Sequence, residues 1–240
     1  MADIVGRVLR VDGRDAAEQM AIDEALARSP QAGPVLRCYR WSRPAMSWGY
    51  FLNPAAQPEI AQRLATGWEG VRRPTGGGLV EHGHDLTYTL VLPSAGEARR
   101  FAMREAYAQA SRLVLTALRS LGIDATAAAS CAPHAPTACA MQPTNGDTLV
   151  DDVKVAGCAA RRLRTAMFLQ GYVALDRLWR WEVTWPRLAD AMTIAAATIW
   201  PIAWRADVLR ESEAALANAF AQRRYRTDGW NHPTRELVLR

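Results

Sequence analysis

The chain has 240 residues, half of them hydrophobic and 22% charged, which is ordinary globular composition with enough length to bury a large core. No apolar run approaches the ~20 residues of a membrane span, and the N-terminus lacks the apolar segment and small-residue cleavage site of a secretory signal, so a cytoplasmic protein without membrane contact is expected. Lys and Arg number 29 against 24 Asp and Glu, a net charge of +5; an anionic partner would suit that balance.

The excess is concentrated in Arg161-Arg162-Leu163-Arg164 and Arg223-Arg224-Tyr225-Arg226. Nucleic acid or an acidic carrier protein could meet such clusters, and a solvated basic face is the default. Cys38, Cys131, Cys139 and Cys158 show no Cys-x-x-Cys spacing. They read as thiols rather than disulfides, and no metal site is expected.

In chain order, Ile4 to Val11 alternates loosely and suits a strand. Arg14 to Ser29 is predicted as a helix: Ala17, Ala21 and Ala25 recur at i+4, with Met20, Ile22 and Leu26 widening the apolar face. Val35 to Trp41 is a second strand candidate. Trp41-Ser42-Arg43-Pro44 then turns the chain into the apolar, aromatic run Ala45 to Phe51. Pro58 to Gly67 is a short helix ended by glycine.

The stretch Arg72 to Leu90 stands out. Two adjacent arginines lead into Pro74-Thr75 and three consecutive glycines, then a His-bearing polar stretch, then the strand-like alternation Leu86 to Leu90. Glycine lets a ligand approach the main chain closely, and three in a row leave consecutive N–H groups free to face an anion. Arginine adds forked donors suited to phosphate or carboxylate. A flexible hairpin with solvated arginines would look the same locally.

Arg99 to Leu121 is a long amphipathic helix, with Met103, Tyr107, Ala110, Val114, Leu118 and Leu121 on one side and Gly122 just past its end. Ala125 to Pro143, with Pro133, Pro136 and Pro143, is predicted as a surface loop in which His134 has no role. Asn145-Gly146 is a strong hairpin signal; it places a hairpin between Cys139 and the run Thr148 to Ala156, with a second turn at Asp151-Asp152. Phe168 to Leu175 is another strand candidate. Asp176 to Trp185 and Asp190 to Ala197 read as short helices or turns, and Arg205 to Arg224 as a final helix. Strands and helices are mixed rather than strictly alternating. That pattern predicts an α+β fold, a mixed β-sheet flanked by helices, in one domain over residues 1–240.

Four segments resemble, in order, motifs of the lipoate-protein ligase A family, a branch of the biotin/lipoate ligase fold. Gln19 to Ala25 is similar to its Asn-Met-Ala-x-Asp-Glu-Ala helix, with Gln for Asn. Pro44 to Phe51 is similar to the segment bordering its acyl pocket, with Leu52 where Gln is frequent. Arg72 to His82 resembles its Arg-Arg-x-Ser/Thr-Gly-Gly-Gly and histidine signature. Lys154 to Arg162 resembles its lysine motif, with Ala160 for Gln. The resemblance implies that Lys154 is catalytic, donating to the acyl carbonyl; a cationic donor there would stabilise charge developing on oxygen. It also implies that Arg72, Arg73, Gly76, Gly77 and Gly78 shape the pocket with His82 near it, and that Tyr50 and Gly157 contact substrate.

Octanoyltransferases of this family carry a catalytic cysteine in a Cys-Phe-x-x-Pro segment. Cys139-Ala140-Met141-Gln142-Pro143 resembles it, fifteen residues before Lys154. A thiolate is a good acyl acceptor when a cation lowers its pKa. Cys158 reads as packing. The implied function is transfer of an octanoyl or similar group from acyl carrier protein to a lysine of a lipoyl domain through a Cys139 thioester. No cofactor, nucleic acid or membrane is expected. The alternative is an ATP-dependent lipoate-protein ligase using ATP and Mg and a lipoyl-adenylate; the second alternative is a non-catalytic basic binding module. No C-terminal accessory domain is expected in the about 65 residues after the last family strand.

Overall fold

The computed structural model describes residues 4–94, 102–128 and 146–232. Eleven strands are found there: β1 (Val5–Arg10), β2 (Val35–Tyr39), β3 (Ala45–Trp48), β4 (Glu69–Arg72), β5 (Leu79–His82), β6 (Asp85–Pro93), β7 (Ala125–Ala127), β8 (Thr148–Val150), β9 (Val153–Arg162), β10 (Ala166–Ala174) and β11 (Ala203–Asp207). The helices are α1 (Ala16–Arg28), α2 (Pro58–Ala65), α3 (Met103–Ser120), α4 (Trp185–Ile199), α5 (Glu211–Phe220) and α6 (Asp228–Asn231). The expected mixed sheet flanked by helices is present. Eight strands form a sheet in the order β11-β1-β2-β6-β10-β9-β8-β7, and β4-β3-β5 form a small second sheet. β11, β1 and β2 run parallel, and the remaining pairs of the large sheet are antiparallel.

Helices cover both faces of the large sheet. Leu113, Val114, Leu188 and Met192 of α3 and α4 meet Leu36, Leu86 and Val173 on one face. On the other, Met20, Ala21 and Ala25 of α1 meet Leu9, Val35, Val91 and Phe168, and the same cluster includes Ala45 and Val71 of the small sheet. Helix α1 therefore joins the two sheets. Burial on both faces explains why β6 reads as a nearly unbroken buried run, Asp85 to Leu92.

Charge also lies within this core. Arg37 Nη1 donates to Asp23 Oδ1 at 2.5 Å, with both side chains 0% exposed. Asp23 Oδ2 accepts from the Tyr39 hydroxyl at 2.9 Å and from Gln170 Nε2 at 2.8 Å, and Thr75 Oγ1 donates to Gln170 Oε1 at 2.8 Å. A polar chain thus runs from the centre of α1 to the glycine loop. Removing one partner of a buried ion pair strands the other, so Arg37→Met should cost about 3–5 kcal/mol of stability. Urea unfolding would register this as a lower midpoint at unchanged slope; a loss under about 1 kcal/mol would show the pair to be dispensable.

Several expected elements differ. Arg205 to Arg224 is not one helix: Ala203–Asp207 is a strand beside β1, and the helix begins at Glu211. Arg7 decides this by donating to Asp207 at 2.6 Å and to Glu213 at 2.6 Å, fixing the strand and the helix start from one side chain. Asp190 to Ala197 lies inside the longer α4, whose Pro186 sits in the first turn, where no N–H is needed. Ala125–Ala127 is a strand rather than the start of a loop, because β8 offers it an edge. In α3 the buried stripe runs through Ala106, Ala110, Leu113, Val114, Ala117 and Leu118, leaving Met103 exposed. In the cluster Arg223 to Arg226, Arg223 is exposed while its neighbours are tied down. Arg224 and the Tyr225 hydroxyl both bind Glu24 at 2.6 Å, and Arg226 pairs with Asp15, so acidic residues on and beside α1 anchor the C-terminal turn.

Candidate active site

Between α1, the small sheet, the glycine loop and strands β9 and β10 lies a cavity of about 320 Å³, with Tyr107 of α3 also in its wall. This is near the lower end of the ~300–1,000 Å³ range of small-molecule sites. Met20, Trp41, Val80, Ala159 and Tyr172 make much of the wall apolar. The charged side chains lining it are Arg73, Asp147 and Lys154, together with the titratable His82.

Lys154 is not the solvated lysine that an isolated strand would suggest. Its side chain is 6% exposed, and Nζ lies 2.8 Å from Asp147 Oδ2. Asp147 immediately precedes β8 and Lys154 is the second residue of β9, the strand that folds back beside it. Asp151 and Asp152 make that turn with φ of +49° and +61°, as expected from the second turn signal. Gly157 is required by close approach: a Cβ there would stand 2.8 Å from Asp147 Oδ1 and 3.1 Å from Lys154 Cε. The glycine of the lysine motif thus clears space for the ion pair that holds the amine at the cavity.

The two arginines diverge. Arg73 points into the cavity wall and staples the loop: Nη1 donates to Ser47 O at 2.7 Å, while Nη2 donates to the carbonyls of Gly76 at 3.0 Å and Gly78 at 2.8 Å. Gly77, at φ +88°, and Gly78 line the cavity; Gly76 does not. Arg72 does not line it either. Its guanidinium lies 4.1 Å from the Tyr50 ring and 5.1 Å from the Trp230 ring and donates to the carbonyls of both residues. Arg72 and Tyr50 therefore lock α6 against the loop from outside. Gly49 faces that loop so closely that a Cβ would meet Gly77 O at 1.9 Å. Backbone must move to admit it, so Gly49→Ala is expected to weaken binding of an octanoyl analogue at least ~10-fold, about 1.4 kcal/mol. Unchanged affinity by titration calorimetry would mean that the loop position does not matter to the pocket.

His82 lines the cavity. Nε2 lies 2.7 Å from Ser47 Oγ and Nδ1 lies 2.9 Å from Asp85 Oδ2, and the ring stacks on Trp41 at 4.2 Å. Sequence reasoning did not single out Ser47, Asp85, Asp147 or Gln170. Asp147 could have been sought as the acid beside the Asn145-Gly146 turn. Ser47 lies 35 positions from its partner, and its one signal along the chain is its place in the segment Pro44 to Phe51.

Cys158 lines the cavity while packing against the core. Burial pushes its thiol up to about 12, with Asp147 adding to the shift and Tyr88 and Lys154 opposing it. It stays protonated at neutral pH, as a packing cysteine should. Cys139, and the segment before Gly146 expected to form a hairpin with Thr148 to Ala156, lie outside the described residues. Among the described residues no group of three His, Cys, Asp or Glu could hold a metal ion, and no helix is long and apolar enough to cross a membrane.

Two sheets bridged by a central helix thus surround a largely apolar, partly open pocket with a buried lysine in its wall. The family described as lipoyl protein ligase A/B catalytic domain matches residues 15–178. Similar proteins include octanoyltransferase LipM of Kyrpidia tusciae, 32% identical over 180 residues, covering 71% of this chain and 66% of that protein. Octanoyltransferase LipM of Symbiobacterium thermophilum is 33% identical over 242 residues, covering 90% and 85%. The chain spans 61% of the length of octanoyltransferase LipM of Oceanobacillus iheyensis. Among solved structures, lipoate-protein ligase A bound with ATP superposes with a TM-score of 0.79 at 25% identity, covering 95% of this chain and 98% of that one. A T. acidophilum protein with bound lipoic acid shares the fold, with a TM-score of 0.80 at 23% identity, covering 95% and 99%. The chain belongs to the lipoyl protein ligase A/B catalytic-domain family and is an enzyme of that family.

Proposed function

We propose that this enzyme transfers an octanoyl or similar medium-chain acyl group from acyl carrier protein to a lysine of a lipoyl domain. The observation that carries the proposal is the Lys154 ammonium, buried in the wall of a small, mostly apolar cavity. Paired with Asp147 in the cavity wall, that cation is a donor an acyl carbonyl in the cavity could meet. The relatives named octanoyltransferase support the same choice.

In the proposed mechanism the Cys139 thiolate attacks the carrier thioester. A carbon–sulfur bond forms to Cys139, and the bond to the carrier thiol breaks. The acceptor lysine, as a neutral amine, then bonds to the acyl carbon, the bond to Cys139 sulfur breaks, and the proton the amine loses ends on the Cys139 thiol. Lys154 donates to the carbonyl oxygen as it gains negative charge in each half-reaction, and Asp147 holds that ammonium in place. Arg73, Gly77 and Gly78 shape the acyl pocket and Gly157 leaves room for the ion pair; Arg72, Tyr50 and Gly76 support the loop from outside. No cofactor enters these steps. The enzyme would work as one domain in the cytoplasm, where its thiols stay reduced.

The likeness to lipoate-protein ligase A bound with ATP favours a second reading, ligation through a lipoyl-adenylate with ATP and Mg. Incubation with octanoyl carrier protein, with and without ATP, followed by intact-mass measurement of enzyme and lipoyl domain, separates the two. Octanoylation without ATP is expected. Modification of the lipoyl domain only with ATP and a free acid would establish the ligase instead.

A further inference from the structure

The cavity holds a second group of side chains that acyl transfer leaves unused. Ser47, His82 and Asp85 form a chain, Oγ to Nε2 at 2.7 Å and Nδ1 to Oδ2 at 2.9 Å. Ser47 and His82 line the cavity, and Asp85 stands behind them; all three are buried from bulk solvent. Asp85 is itself oriented, accepting from the Gly83 N–H at 3.0 Å and the Thr87 hydroxyl at 2.6 Å. Burial alone would raise its carboxyl, but His82 and these hydrogen bonds outweigh that and hold it below the usual carboxylate range. It is therefore ionised at neutral pH and takes the proton on Nδ1. In the neutral ring this leaves Nε2 to accept from the Ser47 hydroxyl. Trp41, stacked within 19° of the imidazole plane, restrains ring rotation. Arg73 Nη1 donates to Ser47 Oγ at 2.8 Å, so a cation faces the oxygen as it loses its proton.

A nucleophile bonded to a base, and the base bonded to an orienting carboxylate, is the arrangement that activates a hydroxyl for acyl chemistry. We propose that Ser47, His82 and Asp85 are such a triad and give the pocket a second activity, hydrolysis of medium-chain acyl thioesters. The proposal rests on the acyl-pocket reading above. The Ser47 proton passes to His82 Nε2 as Oγ bonds to the acyl carbon. The carbon–sulfur bond then breaks, and the departing thiolate takes the proton from His82. A water molecule, deprotonated by His82, next attacks the seryl ester, and Ser47 recovers the proton as its bond to the acyl carbon breaks. The sum is thioester plus water giving carboxylic acid plus thiol.

The test uses the full chain carrying Cys139→Ala, so that exchange through that thiol is removed, with octyl fluorophosphonate and octanoyl-pantetheine as probes. Expected results are phosphonylation of Ser47, located by peptide mass spectrometry, and release of octanoate. Ser47→Ala should lose the label. Asp85→Asn, which permits the wrong ring tautomer, should slow labelling at least ~10²-fold with the fold retained by circular dichroism. Calorimetric binding of an octanoyl analogue is measured on the same parent protein. A bound analogue with Ser47 unlabelled and no hydrolysis overturns the triad and leaves the acyl pocket standing. Labelling at another residue with Ser47 untouched also overturns it. An analogue that does not bind removes the acyl-pocket reading, and the triad proposal with it.

Discussion

Lys154→Ala is expected to slow acyl transfer about 10²–10³-fold, the loss seen when one donor to a developing oxyanion is removed. The ammonium is held by Asp147 at 2.8 Å and faces the cavity, and no other lysine lines it. Stability should fall as well, because the Asp147 side chain is only 6% exposed and would lose this cation as a partner. A loss on the order of 3 kcal/mol is expected for breaking a buried pair. The double variant Lys154→Ala/Asp147→Ala removes both charges and should regain part of that stability while remaining slow. Single-turnover transfer and thermal unfolding measured on all three proteins separate the effects. Normal transfer by the single variant would sink the catalytic assignment. A double variant no more stable than the single one would mean that the ion pair contributes little to the fold.

Cys139→Ala carries the second large effect, a loss of turnover on the order of 10⁶, the scale reached when a covalent nucleophile is deleted. Octanoyl carrier protein alone should add one octanoyl group to the unmodified enzyme, labile to hydroxylamine, and the variant should lose that adduct. Cys158→Ala should keep both adduct and turnover, since burial holds the Cys158 thiol protonated, at about 12. A carrier thioester is already activated, so a thiol can exchange with it at little cost in free energy. A free carboxylate must first be activated, for which a phosphate site and a metal ion are needed and a thiol is not. An active Cys139→Ala protein that lipoylates only with ATP would overturn the transferase and leave the fold assignment intact.

Local chemistry made much of this protein legible. The i+4 alanines placed α1, the glycine triplet and arginines marked the loop, and the order of lysine, glycine and arginines singled out Lys154 as more than a surface charge. In each case the signal lay within about ten consecutive residues, the range over which strand alternation and helix periodicity operate. Elements whose pairing is distant left no such local trace. β4 and β5 are four residues each and exist because β3 lies between them. Ala203–Asp207 could have been helical and became a strand because β1 offered an edge and Arg7 a partner for Asp207.

The sequence by itself therefore determined the α+β class, the family and part of the cavity lining, such as Arg73, Gly77, Gly78, His82 and Lys154, since these lie in motifs read along the chain. Tertiary structure alone decided what those residues do to one another. It sent Arg73 to the cavity and Arg72 to Trp230 although the two are adjacent, because consecutive side chains at a strand end face opposite ways. It turned the basic cluster around Arg224 into an anchor for α1, across 200 positions of sequence. It set Asp147 against Lys154, and Ser47 against His82 and Asp85, by folding separate turns and strands around one cavity. Charged and polar groups withdrawn from water must find partners wherever the fold brings them, and no spacing along the chain records which partner that will be.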